Sequence, residues 1–124
     1  MKYAAWILQV MLAVAFGFAG FMKLTQPRDN LIANGMTWAE DFSDTQVKLI
    51  GAAEAAGAIG LIVPAATGIA PLLTPAAALG LAAVMGGAVA THLRRGEPPY
   101  PALVLGLLAV LAAYLTYRRY ARPT

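Results

Sequence analysis

The sequence predicts an all-α integral membrane protein, a four-helix bundle with a short interfacial or re-entrant helix between spans 1 and 2. Three observations predict it. The 124 residues are 60% hydrophobic but only 12% charged, whereas a soluble domain is about a quarter charged. Mean hydropathy is +0.66. The apolar residues fall into runs of roughly spanning length, since about 20 residues cross about 30 Å of hydrocarbon. The chain reads as one four-span membrane domain, 1–124.

The first span is expected at about 3–22, closed by Lys23, with Gln9 as its one strongly polar member. A secretory signal has an apolar run of about 7 to 15 residues. This run is longer, so it is read as a retained span. The next apolar stretch, 47–90, is interrupted only by Lys48 and Glu54. As one helix it would reach about 66 Å, roughly twice the hydrocarbon thickness. It must fold back, and Pro64, Gly68, Pro71 and Pro75 mark the break. Spans are therefore expected at about 47–63 and 71–92. A fourth, at about 102–117, follows Glu97-Pro98-Pro99-Tyr100-Pro101 and ends at Arg118-Arg119. Tyr114, Tyr117 and Tyr120 are placed to form an interfacial aromatic belt.

The long connection, 24–46, contains Asn34-Gly35, a turn signal, and the apolar residues Leu31, Ile32, Met36, Trp38 and Phe42. That spacing predicts a short helix at about 27–33, lying at the interface or folded back on the bundle.

Four spans put both termini on one side. Lys2, Arg118, Arg119 and Arg122 lie on that side. Lys23, Arg28, Arg94, Arg95 and Lys48 lie on the other. The positive-inside rule needs a bias, and the dense C-terminal cluster tips the reading to cytoplasmic termini. The expected setting is a bacterial cell membrane, with the lipid bilayer as the first partner.

Lipid tails are as apolar as leucine, so spans associate through close packing of small residues. Gly17 and Gly20 on the first span, Gly51, Gly57 and Gly60 on the second, and Gly80, Gly86 and Gly87 on the third are expected to let backbones approach.

Composition also excludes functions. There is no cysteine, so no disulfide, thiolate metal site or cysteine nucleophile exists. One histidine cannot build a multi-histidine metal centre or bis-histidine haem, and no metal site is predicted. The net charge of +3 is spread between apolar runs rather than clustered on a face, which argues against nucleic-acid binding.

Glu54 is the most informative polar residue. An acid inside a span costs a few kcal/mol unless paired or neutral, and faces the bundle interior or a wet cavity. Val47, Gly51, Glu54 and Ala58 share one helical stripe, which points Glu54 at a close helix contact. Up-and-down alternation brings Lys23, Glu54 and His92 to the long-loop half of the bundle. The functional reading is a polar pocket there, with Lys23 paired to Glu54 and His92 as a proton-accepting or hydrogen-bonding group. The structural reading is a register-fixing ion pair, with Lys23 and His92 snorkelling from helix ends. Gln9, towards the other side, suits a helix–helix hydrogen bond.

At these residues the chain resembles the DoxX-like family of small four-helix membrane proteins. Phe18-Ala19-Gly20-Phe21-Met22-Lys23-Leu24 is similar to its glycine-then-Lys-Leu signature. Pro27 through Leu31 to Asn34-Gly35 is similar to its loop, with Asn34 replacing a leucine. Gly51-Ala52-Ala53-Glu54 with Gly57 resembles its Gly-x-x-Glu motif, and Val84-Met85 through Ala88 to His92 resembles the end of its third span. The resemblance implies that the Lys23, Glu54 and His92 positions matter, and fixes no activity. The family's name comes from a small subunit of an archaeal thiosulfate:quinone oxidoreductase. Other relatives are linked to oxidative-stress complexes or to assisting membrane proteins.

Three functions remain open from sequence. The first is an accessory or interaction protein with a polar pocket for a lipophilic ligand. The second is a quinone-interacting subunit of a membrane oxidoreductase. There Glu54 and His92 would exchange protons with the head group, Trp38 or Tyr100 would pack on it, and a larger redox protein would supply electrons. No self-sufficient catalytic set or cofactor is encoded; a quinone is the cofactor this second reading implies. The third is a small transporter, for which homo-oligomerisation would supply a path.

Overall fold

The computed structural model describes residues 2–121, so Arg122, counted above with the terminal charges, lies outside the described residues. Helix α1 covers Lys2–Thr25 and a short α2 covers Arg28–Ala33. A 3₁₀ turn follows at Thr37–Asp41. Then come α3, Asp44–Thr67, α4, Leu73–Arg94, and α5, Tyr100–Tyr120. Among the described residues there is no strand. The long helices contain 24, 24, 22 and 21 residues. At about 1.5 Å each they all span about 30 Å of hydrocarbon, and all four are apolar enough to do so.

The helices run longer than the apolar runs because polar termini extend them. Helix α3 starts at Asp44 rather than Val47 because Ser43 and Gln46 form a capping box. Gln46 N donates to Ser43 Oγ at 3.1 Å, and Ser43 N donates to Gln46 Oε1 at 2.9 Å. Helix α5 begins at Tyr100, with Pro101 in the first turn, where a missing N–H costs nothing.

Pro64 does not end α3, contrary to the expectation from sequence. It sits buried inside the helix, which continues to Thr67 and stops at Gly68 in the left-handed conformation, φ 73°. Proline has no N–H for the carbonyl four residues earlier, here that of Gly60. Thr74 Oγ1, from α4, donates to that carbonyl at 2.8 Å. Gln9 Nε2, from α1, donates to the adjacent Leu61 carbonyl at 2.7 Å. Both side chains are fully buried. Neighbouring helices thus supply the donors that make a proline tolerable within a bilayer. Pro75 is likewise no breaker, since it lies in the first turn of α4.

The helices form a ring. Helix α3 packs on α1 and α4, and α5 packs on α4 and more sparingly on α1. The core between them contains Leu8, Leu12, Phe16, Leu61, Leu81, Met85, Ala109 and Ala112. The closest approach is between α1 and α3. A Cβ on Gly20 would stand 2.7 Å from both Gly51 O and Ala55 N, and one on Gly51 would stand 2.7 Å from Lys23 Cβ. Gly57 and Gly60 similarly accommodate Leu81 and Ala77 of α4. The expectation fails for α4. A Cβ added to Gly80, Gly86 or Gly87 meets nothing within 4 Å, because these glycines are exposed and face no neighbouring backbone.

The connection after α1 folds back as a small second core. Leu31, Ala39 and Val47 are buried together, with Met22, Ile32, Met36, Trp38 and Phe42 against them. Asn34-Gly35 makes the turn, with Gly35 at φ 108° and Met36 N donating to Leu31 O at 2.9 Å. Arg28 clips the 3₁₀ turn from inside. Its Nε donates to Ala39 O and Phe42 O at 3.0 and 2.7 Å.

Candidate functional site

The Gly20–Gly51 contact decides where the polar residues meet. It brings the last turn of α1 onto the second turn of α3, and Lys23 Nζ donates to Glu54 Oε1 at 2.7 Å. The side chains of this pair are 8% and 3% exposed. Without glycine at both positions the backbones would stand apart and the pair would not close. Lys23 Nζ also lies 5.5 Å from the centroid of the Trp38 ring, within cation–π range.

The pair lies on the wall of a cavity of about 630 Å³ at the long-loop end of the bundle. Trp38 and Phe42 come from the folded-back connection, their rings edge to face at 5.7 Å. Met85 and Ala88 from α4 and Leu105 from α5 add further apolar wall. His92 and Arg94, from the last turn of α4, complete the polar part. The cavity is therefore apolar in its walls and polar at one end. It lies within the range of small-ligand sites, about 300–1,000 Å³.

Lys23, Glu54, His92 and Trp38 thus share one cavity. Tyr100 does not line it; it is the first residue of α5 and is 68% exposed. His92 lines the cavity without touching the ion pair; its Nδ1 is 2.9 Å from Glu97 Oε1. Among the described residues no cluster of three His, Cys, Asp or Glu side chains stands ready for a metal.

Sequence reasoning missed the residues that hold the cavity's outer end. Arg95 donates from Nη1 to Asp41 at 2.7 Å, from Nη2 to Glu40 at 2.9 Å, and from Nε to Glu97 at 3.0 Å. Thr37 Oγ1 donates to Glu97 Oε2 at 3.0 Å. These bonds strap the 3₁₀ turn, and with it Trp38, to the α4–α5 loop. The hydrogen bond from His92, followed by that from Arg95, holds the Glu97 carboxyl at about 2, below its ordinary 4.5. The same acids raise the Arg95 guanidinium further above its already high value, Glu97 first and then Glu40. The only sequence signal was opposite charges at the tips of two loops far apart in the chain, which periodicity cannot pair.

Residues 7–114 match the family model described as the DoxX-like family. No curated protein and no solved structure matches the chain.

Proposed function

The chain belongs to the DoxX-like family, and from that premise we propose that it is a membrane accessory protein whose loop-end cavity holds a lipophilic ligand by its polar head. The observation that carries this reading is a buried Lys23–Glu54 pair opening onto an apolar-walled cavity of about 630 Å³. A buried ion pair costs several kcal/mol in desolvation. A pair kept only for register would be expected to pack closed. This pair faces space of ligand size.

A second reading takes an isoprenoid quinone as the ligand, favoured by the Trp38 ring on the cavity wall beside Lys23. Lys23 would donate to a ring carbonyl and Trp38 would pack against the ring. A bound quinone would supply redox chemistry, with electrons from a larger partner. In either reading the termini are placed in the cytoplasm of a bacterial cell, with the cavity end on the opposite face.

Extraction of the whole protein in native lipid, followed by mass spectrometry of what stays bound, tests the proposal. A lipophile enriched over bulk lipid in the wild type and absent from the Lys23→Met/Glu54→Leu double variant is expected. Equal retention by a correctly folded double variant would refute it. A quinone in the bound fraction would select the second reading.

A further inference from the structure

The ion-pair cavity adjoins a second space. Val84 lines both the cavity and this second space, an apolar groove of about 560 Å³ between α3 and α4, which continues to Pro64 and Leu73. From Leu73 to Val84 the helix rises about 16 Å, most of the length of a fatty acyl chain. The floor of this groove is Gly57, Gly60 and Ala77, and its exposed rim includes Ala53, Ala76 and Gly80. Gly87, exposed on the wall of the polar cavity, likewise has open space where a Cβ would be. The side between α3 and α4 thus opens towards lipid, while the aqueous end carries the Arg95 strap.

The polar end has more donors than acceptors. Of the charged side chains on the cavity wall, Lys23 and Glu54 neutralise each other. Arg94, exposed at the mouth, has no carboxylate partner among the described residues. Lys23 gives one of its three hydrogens to Glu54. A head group that fits must bring oxygen acceptors and negative charge. The groove runs between a single pair of helices, a shape that suits one extended chain.

We propose that the site binds a fatty-acid-type amphiphile that enters sideways from the bilayer. Its carboxylate meets Arg94 and Lys23, and its chain crosses the cavity past Val84 into the near part of the α3–α4 groove, towards Gly80. This rests on the reading of the cavity as a lipophile site and names the head and chain it selects. Arg94 adds a charge-assisted, bidentate contact that a neutral head cannot use.

Trp38 reports the head position. The full chain carrying Trp6→Phe, in nanodiscs of zwitterionic lipid, is titrated with stearate brominated close to the carboxylate. Stearyl alcohol brominated at the same carbon, a brominated ubiquinone analogue and brominated phosphatidate are titrated in parallel. Saturable quenching of Trp38 by stearate is expected, about tenfold tighter than by the alcohol, the value of one charge-assisted hydrogen bond. Arg94→Gln should sharply reduce that preference. Gly80→Leu, whose Cβ meets open space, should weaken stearate and spare octanoate. Equal affinity for acid and alcohol, or an undiminished preference in Arg94→Gln, would overturn the proposal. Phosphatidate binding as tightly as stearate would overturn it in favour of an ordinary anionic phospholipid. If the alcohol or quinone alone saturates, the cavity is a lipophile site and only this inference falls. If none does, both fall.

Discussion

Two groups of polar side chains are buried between the helices of this bundle, one around Pro64 and one around Glu54, and they are completed differently. Around Pro64, Thr74 and Gln9 each give a hydrogen bond to a backbone carbonyl near the proline. Neither side chain lines the ion-pair cavity or the α3–α4 groove, and Gln9 Oε1 is the one atom of that group without a partner. Around Glu54, Lys23 keeps two hydrogens beyond the one given to its partner, and the pair faces a cavity with Trp38, His92 and Arg94. Burial of a polar group is common to both. Unspent hydrogen-bonding capacity facing open space belongs to the second alone, and it separates a candidate ligand site from backbone repair.

The largest effect that would sharpen this contrast is at Glu54. Glu54→Leu leaves the Lys23 ammonium buried without its partner and should cost about 3–5 kcal/mol in unfolding from mixed micelles. Adding Lys23→Met should recover most of that loss. A single variant as stable as the wild type would mean that the pair is solvated, and the contrast would collapse.

Thr74→Val comes next. It strips the Gly60 carbonyl of its donor, for about 1–3 kcal/mol, and Pro64→Ala in the same chain should rescue it by restoring a backbone N–H. Additive losses in the double variant would show that the Thr74 hydroxyl does not stand in for the donor Pro64 lacks. Gln9→Leu should be milder, about 1 kcal/mol, because it loses one hydrogen bond but also removes the unsatisfied Oε1. Neither Thr74→Val nor Gln9→Leu should change ligand retention, which mass spectrometry of the purified protein reads directly.

The smallest effect on stability is expected at the strap. Arg95→Ala should leave global unfolding nearly unchanged, since its pairs are on the surface, while amide exchange over 37–41 rises several-fold. The strap also has a pH signature. Glu97 is held at about 2 against an ordinary 4.5. A depressed carboxyl contributes its ties fully above its unfolded value and loses them as pH falls through the folded one. The Glu97 carboxyl, followed by its own NMR signal, should therefore stay ionised from neutral pH to below 4.5 and take up its proton only near pH 2. Proton uptake centred at 4.5 would show that Glu97 is not tied down.

Much of this was legible in the chain because a bilayer leaves few choices. Backbone groups inside lipid must be paired, and a helix pairs nearly all of them within its own segment, so an apolar run of spanning length is read as a helix. The all-α class and the number of spans follow from that rule, while the short helix after the first span was read from apolar spacing and the Asn34-Gly35 turn signal. Glu54 stood out for a related reason, since an acid at that depth is too costly to point at lipid.

The sequence by itself therefore determined that four helices cross the membrane and that one carboxyl must be sheltered among them. It also placed Lys23 and His92 on the carboxyl's side. Only the tertiary structure decided that Pro64 stays inside a helix, because its repair comes from Thr74 and Gln9 on other helices. Only packing separated the glycines that let α1 and α3 touch from those on α4 that leave a groove open. Arg95 joined two loops that no local period relates, and Tyr100 turned outward. Local rules act within a few residues of one segment; each of these outcomes depended on atoms brought together from elsewhere in the chain.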